Sequence, residues 1–192
     1  FRGKTFSHMN SRQVAEMGVA RTFQNLALFK GMSVIDNIMS GRNLKIKSNL
    51  FMQALRIGPA EREEIRHREF VEHIIDFLEI QAYRKTPVGQ LPYGLQKRVE
   101  LGRALAMEPE LLLLDEPMAG MGHEDIDKVA ALIKRISQKY TILMVEHNLN
   151  VVANLSDTIT VLTRGQVLAE GNYATVSKHP QVKEAYLGAG HD

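Results

Sequence analysis

The sequence contains no cysteine among its 192 residues. A scaffold held together by disulfides or by thiolate-bound metal is therefore excluded, and the composition fits a reducing compartment. No apolar run approaches the ~20 residues that a membrane-spanning helix needs, so any membrane role is expected to be peripheral. An excess of one charge is also missing, because 24 lysine and arginine residues are balanced by 22 aspartate and glutamate residues. This balance does not favour nucleic acid as a partner.

The start of the chain lacks the context of a phosphate-binding loop. The whole chain is long enough for one domain with a sizeable core. Because it begins at Phe1 rather than at methionine, we expect an N-terminally truncated chain. Gly3-Lys4-Thr5 has the letters that end a P-loop. A working P-loop also needs an earlier glycine, a strand before it and a helix after it. Those neighbours are missing here, so we expect no functional P-loop in these residues.

The most informative stretch runs from Leu91 to Pro117 and reads LPYGLQKRVELGRALAMEPELLLLDEP. It predicts a turn, an amphipathic helix, a loop and then a strand. Because Leu111 to Leu114 is apolar on both faces, the strand is expected inside a parallel sheet covered by helices, with ligand sites beyond the carboxyl ends of its strands. Asp115 and Glu116 stand at that end. Two adjacent carboxylates suit Mg²⁺ and a base for an attacking water, although alone they would more simply close a strand.

Periodicity predicts further elements before and after this stretch. A helix is expected over Ser11–Met17, with Ser11 as its N-cap and Gly18 as its stop, followed by a strand over Val19–Phe23. The remaining expectations are a helix from Pro59 with Val71, Ile74, Ile75 and Leu78 on one stripe, a helix over Asp125–Tyr140, a second buried strand over Thr141–Val145, a helix over Asn148–Leu155 and a hairpin over Asp157–Ala169 that turns at Arg164-Gly165.

The segment Asn25–Ile38 is unusually apolar for a loop. Such a segment either packs against the core or offers a surface to a partner, and we favour partner contact. The following residues, 41–57, are interpreted as an exposed connector, with a basic piece lying on lipid as the alternative.

The order of these motifs resembles the ATPase subunits of ABC transporters. LPYGLQKRVELGRALA is similar to their signature motif and its helix, LLLLDEP to Walker B with the catalytic glutamate, and ILMVEH to the strand that leads to the switch histidine. Gln24, in ARTFQN, falls at the position of the Q-loop glutamine. The Pro-Tyr-Gly form of the signature and the Tyr-Leu-Gly ending resemble the branched-chain amino acid branch. Leu95 departs from that pattern, which usually has glutamine there.

The resemblance implies an α/β P-loop NTPase (ABC ATPase) fold, N-terminally truncated, with a mostly parallel sheet flanked by helices. One partial domain is then expected over residues 1–192. Residues 1–24 and 109–192 would form the core with a C-terminal hairpin and helix, and residues 25–108 would form the Q-loop, a helical subdomain and the signature helix. Phe1–Phe6 would be the strand that follows the P-loop helix.

The resemblance also implies the roles of site residues. Glu116 would polarise the attacking water, Asp115 would hold Mg²⁺ through water, and Gln24 would contact the metal and the nucleotide. His147 would stabilise the γ-phosphate of ATP. Pro92, Tyr93, Gly94 and Leu95 would contact ATP bound to the opposite subunit.

The implied protein is the ATP-hydrolysing subunit of an importer, peripheral on the cytoplasmic face of the bacterial inner membrane. Its implied partners are transmembrane permease subunits, a second ATPase subunit and, indirectly, a periplasmic binding protein, but no nucleic acid. We expect this chain alone to be inactive for want of a P-loop. Two alternatives stay open: a degenerate, non-hydrolysing interaction module, and an ATPase of the DNA-repair or chromosome type, which is disfavoured because nothing here sustains the heptads of a coiled coil.

Overall fold

The computed structural model describes residues 1–22, 26–46 and 59–187, the side chains of 59, 60 and 185–187 excepted. The chain forms two compact units, Phe1–Val145 and Glu146–Asp192. None of the helices in the described residues is both long enough and apolar enough to cross a bilayer.

The first unit contains helices and short strands. Two single 3₁₀ turns, Gln81–Tyr83 and Val88–Gln90, lie between the helices Pro59–Phe77 and Tyr93–Leu105. Its other elements are α1 (Ser11–Glu16), β1 (Val19–Arg21), α2 (Val34–Ser40), α3 (Pro59–Phe77), α4 (Tyr93–Leu105), β2 (Leu111–Asp115), α5 (His123–Ser137) and β3 (Thr141–Val145).

The three strands form one parallel sheet in the order β1-β2-β3. Leu111 of β2 pairs with Val19 on one side and with Thr141 on the other, so β2 is central. Parallel pairing explains the unbroken leucine run, because a central parallel strand is commonly covered on both faces. The predicted parallel sheet is therefore confirmed.

The prediction that β3 is a buried strand was wrong. On one face of the sheet Ala20, Leu112 and Leu114 are buried, but on the other face Leu143 and Val145 of β3 are 61% and 59% exposed. The apolar sequence of β3 indicates only that both of its faces are suited to burial. Which face is covered depends on what packs there, and in the described residues this face is open.

Helices α2, α3 and α4 pack together beside the sheet. The predicted stripe on α3 is confirmed, since Val71, Ile74, Ile75 and Leu78 are all buried. The helices approach closely at Gly102 of α4, where an added Cβ would lie 2.8 Å from Leu78 Cδ1. The helical packing thus depends on a small residue in the middle of α4.

Buried Arg42, directly after α2, connects all three helices. Its Nε donates to Nδ1 of His67 on α3 at 3.1 Å, and its Nη1 donates to the carbonyl of Ala106, which caps α4, at 2.8 Å. Nη1 also lies 3.2 Å from a carboxylate oxygen of Glu108, and the guanidinium stacks on the Phe70 ring. The acceptor role of Nδ1 requires His67 to be a neutral imidazole with its proton on Nε2.

The apolar segment 25–38 is partly a helix, because α2 begins inside it. Ser33 caps α2, and Val34 and Ile38 are fully buried, whereas Phe29 is 55% exposed. Buried Asn37 holds the preceding loop: its Oδ1 accepts from the amide of Phe29, and its Nδ2 donates to the carbonyls of Phe29, Met32 and Ser33. The segment therefore both packs on the core and presents an apolar surface.

Two local predictions near the N-terminus need correction. Phe1–Phe6 forms no strand; positive φ angles at Arg2 and Gly3 fold it into a tight turn in which Phe1 and Lys4 exchange hydrogen bonds. The N-cap of α1 is Asn10 rather than Ser11, because the Asn10 and Gln13 side chains cap each other's amides. The C-terminal stop at Gly18 is confirmed by its φ of 87°.

The helix predicted over 125–140 runs instead from His123 to Ser137. Its first turn carries Glu124 and Asp125, which favour the positive end of the helix dipole. Its inward face carries Val129, Ile133 and Ile136, which are buried.

The second unit consists of α6 (Leu149–Leu155), the hairpin β4 (Ile159–Thr163) and β5 (Gln166–Gly171), α7 (Tyr173–Val176) and α8 (Pro180–Leu187). The predicted turn at Arg164-Gly165 is confirmed, with φ angles of 48° and 78° between the paired residues Thr163 and Gln166. Positive φ at both central positions is the type I′ geometry that matches strand twist. Val161, Val176 and Val182 form a small core.

We predict that Gly41→Ala destabilises the first unit. A Cβ at this position would lie 2.3 Å from the carbonyl oxygen of Arg103, a main-chain atom of α4 that cannot rotate away. Overpacking of this kind costs ~1–3 kcal/mol. Urea unfolding followed by circular dichroism measures the loss. Gly31→Ala is the matched control, because nothing lies within 4 Å of its added Cβ; equal stability of the two variants would contradict the packing argument.

We predict that His67 makes stability fall in mild acid. Burial, followed by the charge of Arg42, lowers the pKa of His67 below its ordinary value, against opposing contributions from Glu63 and Glu108 and a further lowering by Arg66. Between the ordinary pKa and the lowered one, the unfolded chain binds more protons than the folded chain, so the free energy of unfolding falls as pH falls through this window and levels off below it.

Unfolding curves collected from pH 7.5 to pH 5 test this effect. His67→Gln removes the titrating group and should flatten the curve in this window. His73→Gln, on the exposed side of the same helix, should leave the slope as in the parent chain. An unchanged slope in His67→Gln would show that another group causes the loss.

Candidate active site

The two acids lie where the sequence placed them, at the carboxyl end of the central strand. Asp115 is the last residue of β2, and its Oδ2 accepts a hydrogen bond from Nη2 of Arg21 at 2.9 Å. The register explains this ion pair, because Arg21 is paired with Leu113 and residues two apart on a strand share a face. The sequence did not reveal Arg21 as a partner, since register between distant strands is not encoded locally.

Glu116 has a strained backbone. Its φ is 44°, in the left-handed region that residues with a side chain rarely adopt. Its N–H still donates to the carbonyl of Val145 at 2.9 Å, and its own carbonyl accepts from Ala119 at 3.1 Å. The chain therefore turns sharply directly after β2, and the hydrogen bond from Glu116 to Val145 continues the pairing with β3 into this turn. Strain of ~1–2 kcal/mol at such a residue is typical of positions retained for function.

The donor set at this edge fits magnesium held together with a nucleotide. Within the described residues no three His, Cys, Asp or Glu side chains form a metal-binding group. Protein Mg²⁺ sites with nucleotides commonly use one or two carboxylates, several waters and phosphate oxygens. Asp115 and Glu116 can supply the carboxylate share, and Asp115 is the residue that would hold the ion.

The signature residues start helix α4. Pro92 is the N-cap and provides no side-chain cap to the first turn. The first amides of a helix generally have no intrahelical acceptor and can donate to an anion. In α4 the amide of Leu95 already donates to the carbonyl of Pro92 at 3.0 Å, so contact with an anion would fall on the amides before it. Pro92 and Tyr93 are exposed, Leu95 is half-buried and Gly94 is buried. Contact with a ligand from outside would therefore fall on Pro92, Tyr93 and the helix amides.

Two contacts that the sequence did not reveal hold this loop in place. An added Cβ at Gly94 would lie 2.6 Å from Oδ2 of Asp125 on α5, so a larger residue here would require that carboxylate to move. The Tyr93 ring lies against Gly120, in the loop that follows the acids, with 3.4 Å between Tyr93 Cε1 and the position of an added Cβ. The signature loop is thus packed on the segment that follows β2.

The two other predicted site residues are not among the described residues of the first unit. Gln24 lies outside the described residues. His147 belongs to the second unit, where it is exposed and its N–H donates to Oε2 of Glu146 at 3.1 Å. The same carboxylate accepts from the amide of Asn148, the N-cap of α6. The grouping of Gln24, Glu116 and His147 around a phosphate stays a prediction.

Comparison with known families gives the class of the protein. The family described as ABC transporter matches residues 1–119. The high-affinity branched-chain amino acid transport ATP-binding protein BraF of Pseudomonas aeruginosa is 31% identical over 188 residues, which are 97% of this chain and 74% of BraF. LivG of Escherichia coli, a protein of the same description, is 32% identical over 179 residues, 92% of this chain and 70% of LivG. The chain belongs to the ABC transporter family, as an ATP-binding domain.

The C-terminal residues indicate which branch of the ABC transporter family the chain resembles. Residues 166–192 match the family described as branched-chain amino acid ATP-binding cassette transporter. The predicted resemblance to the branched-chain branch is therefore confirmed by the C-terminal family and by the relatives BraF and LivG.

Solved structures confirm the predicted fold class. An ATP-binding cassette of an ABC transporter in its ADP conformation aligns with a TM-score of 0.79 and 27% identity over 98% of this chain and 75% of that chain. A nucleotide-free cassette aligns with a TM-score of 0.76 and 26% identity over 97% of this chain and 75% of that chain.

We predict that Glu116→Gly is more stable than Glu116→Ala. Both substitutions remove the carboxylate and its contacts, so their difference isolates the cost of a positive φ with a Cβ present. Glycine adopts this conformation without that cost, and the expected difference is ~1 kcal/mol in the free energy of unfolding. Urea titration measures it. Alanine being equal or more stable would show that the turn after β2 is not strained.

Proposed function

We propose that this chain is part of an ATP-hydrolysing subunit that powers the uptake of branched-chain amino acids through a membrane permease. The observation that carries the proposal is the acidic pair Asp115 and Glu116 at the carboxyl end of the central parallel strand. The match of residues 166–192 to the branched-chain transporter family supports the substrate class.

In this proposal Glu116 accepts a hydrogen bond from the attacking water and orients it for in-line attack on the γ-phosphate. Asp115 would hold Mg²⁺ through water, and the ion would supply positive charge to the phosphates. Gln24 would contact a metal-bound water. His147 donates to the γ-phosphate and stabilises the charge that develops on it.

The signature residues act on the ATP of a second ATPase subunit. Exposed Pro92 and Tyr93 can reach a facing surface, and the amides of the first turn of α4 offer donors together with the positive end of the helix dipole. Leu95 lacks an amide side chain, so the contribution of this loop comes from its main chain. Gly94 contributes by fitting beneath Asp125.

The permease contact falls on the loop before α2. Phe29 and Met32 are 55% and 38% exposed, and the buried amide of Asn37 fixes the loop that presents them. Residues 25–108 would then form the Q-loop and helical subdomain, and residues 1–24 and 109–192 the nucleotide-binding core. A periplasmic binding protein would act through the permease only. The subunit would work peripherally, on the cytoplasmic face of the bacterial inner membrane.

The chain as it stands is expected not to turn over ATP, because its residues contain no P-loop and phosphoryl transfer depends mainly on positioning and charge. A chimera tests this, in which the N-terminal segment of LivG that precedes its match to this chain is placed before Phe1. We predict that the chimera hydrolyses ATP and that Glu116→Gln in it lowers the rate by ~10²-fold or more, the contribution typical of a general base.

Phosphate release under saturating Mg-ATP measures both rates. Glu124→Gln removes an exposed acid on α5 that pairs with Lys128, and it should retain the full rate. Turnover by the 192-residue chain alone would contradict the dependence on a P-loop. A chimera with full activity after Glu116→Gln would remove Glu116 from the mechanism.

The substrate class has its own test. Uptake of radiolabelled leucine by cells that lack LivG should be restored by the chimera and not by its Glu116→Gln variant. A folded chimera that binds ATP without hydrolysing it would instead favour the degenerate interaction module, whose supporting observation is Leu95 in the signature.

A further inference from the structure

The ion pair between Arg21 and Asp115 occupies the carboxylate that the proposed function assigns to magnesium. Nη2 of Arg21 lies 2.9 Å from Oδ2 of Asp115, and the two side chains are 54% and 31% exposed. Both come from strand ends at the same edge, β1 and β2. The pair is therefore accessible from the open face of the sheet rather than enclosed in the core.

The register makes the pair a consequence of the fold. Arg21 pairs with Leu113, and Asp115 lies two positions further along β2 on the same face. The next amide, that of buried Thr22, still donates to the carbonyl of Leu113 at 2.9 Å, which fixes the main chain at Arg21. The guanidinium is thus held within reach of Asp115 by a rigid strand end.

The chemistry of the pair opposes that of the metal. A guanidinium is charged at every physiological pH and matches a carboxylate edge geometrically. A hydrated divalent ion that approaches the same oxygen meets both a competing donor and a repelling positive charge at a few ångströms. Arg21 donates to Oδ2 of Asp115, so a metal-bound water can still reach Oδ1, but the adjacent guanidinium repels the metal and weakens its hold on the carboxylate.

We propose that Arg21 is the resident counter-cation of Asp115 and that it is displaced from this carboxylate when a divalent metal binds there. Arg21 is a positioning residue rather than a catalytic one, because it acts on the metal through Asp115. It lies at the end of β1, three residues before Gln24 in the sequence. The inference rests on the proposed function in taking Asp115 as the metal carboxylate.

The test uses the 192-residue chain and Mn²⁺ as the probe, read by paramagnetic broadening of the amide signals at the end of β2. Arg21→Gln should bind Mn²⁺ about twofold to fivefold more tightly than the parent chain, the range set by removing a partly exposed ion pair. Arg21→Lys, which keeps the charge without the planar fork, should fall between them. Arg12→Gln is the matched control, since it removes an exposed arginine that pairs with Glu16, and its affinity should equal that of the parent.

A second readout follows the arginine itself. Addition of Mg²⁺ should shift the Nε–H signal of Arg21 in the parent chain and leave it unshifted in Asp115→Asn. Dispersed amide spectra establish that each variant is folded. If Arg21→Gln is not folded, Arg21→Lys takes its place in the comparison of Mn²⁺ affinity.

The outcomes separate the two proposals. If Asp115→Asn binds Mn²⁺ as the parent does, the metal role of Asp115 fails and the proposed function loses that step. If Asp115→Asn loses the broadening but Arg21→Gln binds no more tightly than the parent, the competition by Arg21 is overturned alone. Tighter binding in Arg21→Gln together with a metal-dependent Arg21 shift supports the inference.

Discussion

The central position of β2, hydrogen-bonded in parallel to β1 and β3, is the constraint on which the site in the first unit depends. Parallel pairing brings the carboxyl ends of three separate segments to one edge, and at that edge lie Arg21, Asp115 and Glu116. No local feature of any one segment would do this. The rigidity of the ladder also explains why Glu116 can be held with a positive φ, because the bond from its N–H to Val145 continues the pairing through the strained position.

The helices around the sheet transmit that placement to the signature loop. Asp125, in the first turn of α5, lies against Gly94, and Tyr93 lies against Gly120 in the connection between β2 and α5. The signature loop and the segment that follows the acids are therefore parts of one packed region. A larger side chain introduced in either segment would displace the other. On the other side, Arg42 fastens the end of α4 to α2 and α3 through a main-chain carbonyl and a neutral histidine.

Polar groups inside the helical layer specify its geometry more than they stabilise it. Asn37 makes four hydrogen bonds to the loop before α2 while being fully buried. Each bond is worth little net, but an unsatisfied partner would cost ~1–3 kcal/mol. The loop consequently has one well-defined arrangement, with Phe29 outside and Val34 inside.

The amino-acid sequence by itself determined the class of fold, the family and the order of most elements; the exceptions are the absent strand at Phe1–Phe6 and helix α2, which begins inside the predicted loop. The leucine run of β2, the stripe on α3 and the acids after the strand are local patterns, and each was read correctly from periodicity and spacing. Asn10 as the cap of α1 and the earlier start of α5 differ by only one or two positions, because caps compete within a single turn.

Only the tertiary structure decided the register, the exposed face and the partners of the site. The pairing of Arg21 with Asp115, the carboxylate of Asp125 above Gly94 and the openness of Leu143 and Val145 all depend on residues far apart in the chain. The physical reason is that periodicity states which side of an element is apolar, whereas a contact between elements is set by how they pack together, which no single segment encodes.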